Sequence, residues 1–213
     1  MPNGLNSDKA LIFRIVHRDN VPWILDNGMH CRSAAVQMPG YRTIGNPELI
    51  DKRQHRYVPI PPGGTLSDYV PFYFTPYSPM MYNIKTGHAG IARIPNEEIV
   101  IFVSSLYRLD ELGQAFVFSD RHAYLLTAQF YSALNELGNI DWKILQNRDF
   151  RRNPDDPEKI ERYQAEGLVH QHVPVDALMG LICYTREVKN KLDHMVNKRG
   201  LAIAVHVRPG WYF

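Results

Sequence analysis

Cysteine is nearly missing from this chain. Cys31 and Cys183 are the two in 213 residues, far apart and in no metal-like spacing. That speaks against a disulfide framework and fits a reducing cytoplasm. No apolar run approaches the ~20 residues that a membrane span needs, and the opening MPNGLNSDKALIF lacks a long apolar signal core. There is no GxGxxG after a strand and no GxxxxGKS or GxxxxGKT, which argues against dinucleotide and P-loop folds. HExxH is also missing, and no Cys/His cluster has zinc spacing, so no metal is expected. Excess charge is scarce too. At +2, with a pI near 8.5, composition alone does not argue for nucleic acid. No repeat or low-complexity tract divides the chain, which reads as one domain over 1–213.

What is present supports a core: 45% of residues are hydrophobic and 22% charged. LIFRI (11–15), DYVPFYF (68–74), IVIFVSSL (99–106), AFVFS (115–119), LVHQHV (168–173), LMGLICYT (178–185) and LAIAVHV (201–207) read as strands. Pro71 fits an edge or a bulge better than a central position. Asp19 is placed as the cap of a helix through Val21, Trp23, Ile24 and Leu25, stopped by Gly28. Residues 29–46 read as loop, ELIDKRQHR (48–56) as a short polar helix, and SPMMYNIKTG (78–87) as a helix opened by Ser78 and Pro79. Apolar spacing predicts the strongest helix over 119–138. A second is predicted over 154–166 and an amphipathic one over 186–200. Strands and helices interleave without a βαβ rhythm, so the expected class is α+β with a mixed sheet.

Several residues suit chemistry. The helix expected at 119–138 places His122 in its first turn, where an imidazolium is disfavoured. Tyr69, Phe72, Tyr73, Phe74, Tyr77 and Tyr82 can form a stacking pocket or a sheet core; alternation sends Tyr69 and Tyr73 to one face and Phe72 and Phe74 to the other. NRDFRRN (147–153) is the most basic local patch. It reads either as phosphate contacts with Phe150 stacking on a base, or as a solvated loop. Glu166 stands where the charged segment 154–166 gives way to an apolar run.

The segments IFRIVHRDNVPWILDNG (12–28), DKR (51–53), DYVPFYFTPYSPMMYNIKTG (68–87), VFSDRHA (117–123) and RYQAEGLVH (162–170) together resemble the DarT family of DNA ADP-ribosyltransferase toxins. The resemblance implies an ADP-ribosyltransferase-like split mixed β-sheet with surrounding helices. It implies NAD⁺ as co-substrate, bound in a cleft of that sheet, and transfer of ADP-ribose to a thymine base of single-stranded DNA. It also implies a toxin with an antitoxin partner, DarG-like, whose macrodomain removes the modification; the expected location is cytoplasmic, from the cysteine usage above. Glu166 matches the family's catalytic Glu, Arg53 its catalytic Arg, and His122 the His near the target base. His17 matches the second His of an H-x-x-H opening at the NAD⁺ site. Arg14 occupies the first of those positions; it cannot act as a neutral ring donor but can hold ribose or pyrophosphate oxygens. Tyr69, Tyr73 and Arg53 join Arg14 and His17 as cofactor contacts. Arg148, Phe150, Arg151, Arg152, His122 and Met80 are the expected nucleic-acid contacts. Two other readings stand beside this one: transfer onto RNA or protein by the same cleft, and a non-catalytic single-strand-binding module.

Overall fold

Runs of branched and aromatic residues build ten strands in the computed structural model, which describes residues 4–213. The strands are β1 (Leu11–His17), β2 (Met29–His30), β3 (Tyr69–Tyr73), β4 (Ile99–Ser105), β5 (Phe116–Ser119), β6 (Phe130–Tyr131), β7 (Glu166–His170), β8 (His172–Val173), β9 (Gly180–Cys183) and β10 (Ala204–Val207). The helices are α1 (Val21–Asn27), α2 (Pro47–Lys52), α3 (Pro79–Thr86), α4 (Leu106–Glu111), α5 (Trp142–Asn147), α6 (Lys159–Arg162) and α7 (Arg186–Lys198). Eight strands form one sheet in the order β10-β9-β4-β1-β3-β7-β5-β6; β10 and β9 run parallel and every other pair is antiparallel. β2 and β8 make a separate two-stranded ladder.

The sheet is split at its middle. β1 and β4 share seven register pairs and β3 and β7 share five, but β1 and β3 share one, Phe13 with Tyr73. Pro71 sits at this split, in a central strand rather than the expected edge. The two strands have already parted beside it, so its missing N–H costs no ladder bond there. Its carbonyl instead accepts from Arg14 Nη1 at 2.7 Å.

Val70, Phe72 and Phe74 enter the larger core, with Phe13, Phe102 and Leu181, while Tyr69 enters a smaller one with Leu66, Val117, Phe130 and Leu168. Each such side chain contributes about 1.5–3 kcal/mol when fully buried. α3 begins and ends where expected: Ser78 Oγ accepts from the Met81 N–H at 3.2 Å, and Gly87 closes it at φ 74°. α7 buries Val188, Leu192 and Val196, one helical face.

Three local expectations are corrected. The apolar spacing over 119–138 does not make a helix. Asp120 instead exchanges two bonds with Gln129, its N–H to the Gln129 carbonyl and its Oδ1 from the Gln129 N–H. The chain thus folds back from β5 into β6, and Leu126 is 86% exposed. In 154–166 only α6 is helical, because Pro157 interrupts the segment and Asp156 pairs with Arg162. Glu166 therefore begins a strand rather than ending a helix. Asn20, not Asp19, occupies the N-cap position of α1, and its amide is turned to the backbone of Arg42.

Candidate active site

The split between β1 and β3 opens a cleft of about 300 Å³. Its inner end is built by three separate pieces of chain. β7 presents Glu166 at its first residue, 3% exposed, with its backbone N–H toward Ser119 Oγ at 3.4 Å. α2 is capped by Asn46, which accepts from the N–H groups of Glu48 and Leu49; it passes into a tight turn over Arg53–His55 that delivers Arg53. The turn after β5 brings His122 and Ala123. It is pinned by the His122 N–H to the Glu161 carbonyl at 3.0 Å and by Arg121 to Glu158 at 3.1 Å.

These pieces converge on one carboxylate. Arg53 Nη1 lies 3.0 Å from Glu166 Oε2 and 3.3 Å from Oε1, and the Ala123 N–H donates to Oε1 at 3.0 Å. Arg53 Nη2 is buried and has no hydrogen-bond partner among the described residues. A buried guanidinium donor left open in a cleft is a ready contact for a ligand oxygen.

His122 Nδ1 accepts the N–H of Tyr124 at 3.2 Å, which assigns the ring proton to Nε2. Its 3.4 Å approach to Glu166 Oε1 is then no hydrogen bond in the neutral ring. Burial lowers the His122 pKa from its ordinary 6.5; Glu166 pulls it back up and Arg53 pushes it further down. Burial, and then the nearby Glu166, raises the hydroxyl pKa of Tyr73 beyond its ordinary range.

Of the expected cofactor contacts, Arg14, Tyr69, Tyr73 and Arg53 line the cleft. The Tyr69 hydroxyl is committed to the Gly63 carbonyl at 2.7 Å, so this residue offers its ring. His17 does not line the cleft. It is 1% exposed, with Nδ1 accepting from the Asp19 N–H and Nε2 2.9 Å from Glu98. It holds the turn between β1 and α1.

Met80, on the first turn of α3, lines the cleft, but Arg148, Phe150, Arg151 and Arg152 do not. Phe150 packs among Tyr82, Tyr163 and Phe213 instead of standing free to stack. Arg148 lies 3.7 Å over the ring of Tyr77. Arg151 is paired with Asp149.

The rest of the cleft lining carries no motif. Trp23, His30, Gln37, Met38, Tyr41 and Ile44 line it, most of them from the irregular stretch before α2. The sequence did hold one signal: a loop of that length without regular structure is uncommon unless it binds something. Among the described residues no trio of His, Cys, Asp or Glu converges as a metal site.

The cleft can be compared with known proteins. The family described as "DarT: ssDNA thymidine ADP-ribosyltransferase, DarT" matches residues 13–213. A DNA ADP-ribosyl transferase of Escherichia coli is 58% identical over 210 residues, 99% of this chain and 96% of that protein. The fold matches that of Thermus sp. 2.9 DarT solved with ADP-ribosylated ssDNA, at TM-score 0.87 and 32% identity over 97% of both chains. The same protein solved with NAD⁺ matches at TM-score 0.80 and 30% identity, over 97% of this chain and 98% of that one. Thermosipho africanus DarTG, solved with ADP-ribose, shares the fold at TM-score 0.77 and 21% identity; the match covers 95% of this chain and 51% of that one. A match of this length and identity makes the chain a member of the DarT family: an NAD⁺-dependent ADP-ribosyltransferase that modifies thymidine in single-stranded DNA.

Proposed function

We propose that Glu166, Arg53 and His122 form the reacting corner of this transferase, and that the loop wall with Arg14 and Tyr73 receives NAD⁺. The observation that carries the reading is the buried meeting of Arg53 Nη1 and the Ala123 N–H on Glu166. Breaking the ribose–nicotinamide bond develops positive charge on the sugar. A fixed carboxylate beside a ribose hydroxyl stabilises that charge and orients the ring. Arg53 and the Ala123 N–H hold the carboxylate in one orientation, so little reorganisation accompanies the reaction. Arg53 keeps its open Nη2 for a ligand oxygen.

His122 serves as a donor at the target base through Nε2–H. Its Nδ1 takes a proton only by giving up the Tyr124 bond. The proton that leaves the thymine as the glycosidic bond forms therefore passes to water in the cleft rather than to this ring. The strand enters beside Met80, and an isolated strand presents its base without the few kcal/mol that extraction from a duplex costs. Arg148, Arg151 and Arg152 lie outside the cleft, where only the more distant phosphates of a bound strand reach.

The partner we propose is an antitoxin with an ADP-ribosyl-removing macrodomain, the pair working in the cytoplasm. Two buried free cysteines suit a reducing compartment, and among the described residues no helix is long and apolar enough to cross a membrane. The match to Thermosipho africanus DarTG leaves about half of that chain unaccounted for, and expression with and without a macrodomain protein tests the pairing by growth.

The site reading is tested by mass spectrometry of thymine-containing oligonucleotides after incubation with NAD⁺. Glu166→Gln is expected to lower ADP-ribose transfer by about 10²–10³-fold in a protein that still melts cooperatively. Wild-type transfer by that variant removes Glu166 from the reaction.

A further inference from the structure

We infer that Arg56 is a positioning residue of this reaction, holding the turn that carries Arg53 in register with the turn that carries His122 and Ala123. The inference rests on the roles proposed above for those residues.

Arg56 follows Arg53 by one turn, with its N–H on the Arg53 carbonyl at 3.2 Å and its own carbonyl accepting from Leu66 at 2.9 Å. Its side chain reaches away from Arg53. Nη2 donates to the Leu125 carbonyl at 3.0 Å, and the guanidinium lies 5.7 Å from the ring centroid of Phe130. Leu125 belongs to the His122 turn, since its N–H donates to the His122 carbonyl at 3.0 Å.

The contacts close a circuit. Arg53 meets Glu166, Glu166 meets the Ala123 N–H, the chain runs from Ala123 to Leu125, Leu125 meets Arg56, and the chain returns to Arg53. Without Arg56, the two turns are joined in this circuit only through Glu166, the group on which the reaction places its demand. Val58 and Ala123 also share the smaller core, but apolar packing fixes distance more than register.

Stability alone does not call for an arginine here. Its Nε is buried with no hydrogen-bond partner among the described residues, and an apolar side chain of similar size avoids that desolvation. What the arginine supplies is a directional, charge-assisted bond to one carbonyl. A misplacement of about 1 Å, even from a mutation outside the chemistry, can cost on the order of 10²-fold in rate.

The test compares Arg56→Met and Arg56→Lys with wild type and with Glu166→Gln, measuring kcat on a thymine-containing oligonucleotide, KM for NAD⁺ and the melting midpoint. Arg56→Met is expected to lower kcat by about 10–100-fold while KM for NAD⁺ stays within about two-fold of wild type. Arg56→Lys, which keeps a charged donor within reach of Leu125, is expected to recover most of that loss. A folded Arg56→Met protein with wild-type kcat overturns the inference, and so does a KM that rises in step with the fall in kcat. If Arg56→Met does not fold, Arg56→Gln decides: lower kcat at unchanged KM supports the inference, and unchanged kcat overturns it. An inactive Glu166→Gln beside a fully active Arg56→Met sinks this inference alone. A fully active Glu166→Gln sinks the site reading beneath it.

Discussion

The two walls of the cleft are made differently. At the inner end, Glu166 starts a central strand, and its partners Arg53 and His122 have side chains only 12% and 14% exposed. The other wall is largely a loop without regular structure, tied to the body by the Cys31 and Ser33 N–H groups and by polar side chains. Gln37 Nε2 gathers the carbonyls of Cys31, Arg32 and Ala34, and the buried Asn20 amide both donates to and accepts from the backbone of Arg42. Between those ties Val36 is half exposed and Tyr41 more than a third. A reacting group needs fixed geometry, which strands provide, whereas a wall that admits and releases a dinucleotide needs a lower opening cost. The strand end should therefore govern kcat, and the loop end KM.

The largest separation is expected at Arg53. Arg53→Lys keeps the charge but loses the forked contact to both carboxylate oxygens and the open Nη2. Steady-state kinetics should show kcat lower by about 10²-fold, with a smaller change in KM for NAD⁺. A variant whose KM rises while kcat holds would reverse the assignment of the two walls. Next comes Asn20→Ala, which removes both amide bonds to the Arg42 backbone, leaves the Arg42–Asp19 pair, and does not touch the acid corner. Here KM for NAD⁺ should rise by about ten-fold, the equivalent of one or two hydrogen bonds, while kcat at saturating NAD⁺ stays within about three-fold. Equal losses in both constants would show that the loop also shapes the reacting geometry.

The same contrast explains what the sequence disclosed. β4 and β9 were legible as short continuous apolar runs buried on both faces, and α7 because its apolar spacing matches one buried face. Glu166, Arg53 and His122 were nameable through the resemblance, but not their assembly, since 113 residues separate Arg53 from Glu166. The stretch 119–138 misled because its helical spacing is real and the fold does not use it. Ala123 and Phe130 are buried by the smaller core, while Leu126 faces water. Tertiary demand, a turn that offers the Ala123 N–H to Glu166, outweighed local propensity. His17, at the right place in a motif, has its ring nitrogens engaged by Glu98 and the Asp19 N–H. The loop wall carried no residue signature, only its length.

A smaller effect separates the acid corner from the rest of the chain by pH. The His122 pKa is lowered in the folded state, mainly by burial, so between the native value and about 6.5 the unfolded chain binds more protons at this site. The stability this residue contributes is present above about pH 6.5 and is lost as pH falls through the native pKa. The melting midpoint of wild type should drop more across that window than that of His122→Gln. Parallel curves for the two proteins would mean that the ring is not held neutral by the corner.

The smallest expected effect concerns the basic loop outside the cleft, where two neighbouring arginines differ in one respect. Arg151 has an 88% exposed side chain, but its guanidinium is engaged by Asp149 at 3.0 Å. Asp149 is also bound by Lys159 at 3.0 Å, and the hydrogen bond from Arg151, followed by that from Lys159, holds its carboxyl well below the usual range. Arg152 is exposed and has no ion pair or side-chain hydrogen bond among the described residues. A phosphate must compete with Asp149 for Arg151 but meets no such competitor at Arg152. If a single strand passes this loop, Arg152→Ala should weaken oligonucleotide binding more than Arg151→Ala, by two- to three-fold at low salt. It should also lower the slope of log affinity against log salt by up to about 0.7, the value for one single-strand phosphate contact. The paired arginine serves as the internal control, because both variants remove one positive charge and differ only in whether that charge was already committed. Identical slopes for wild type and both variants would place the DNA path entirely on the Met80 side of the cleft, leaving NRDFRRN as a solvated loop.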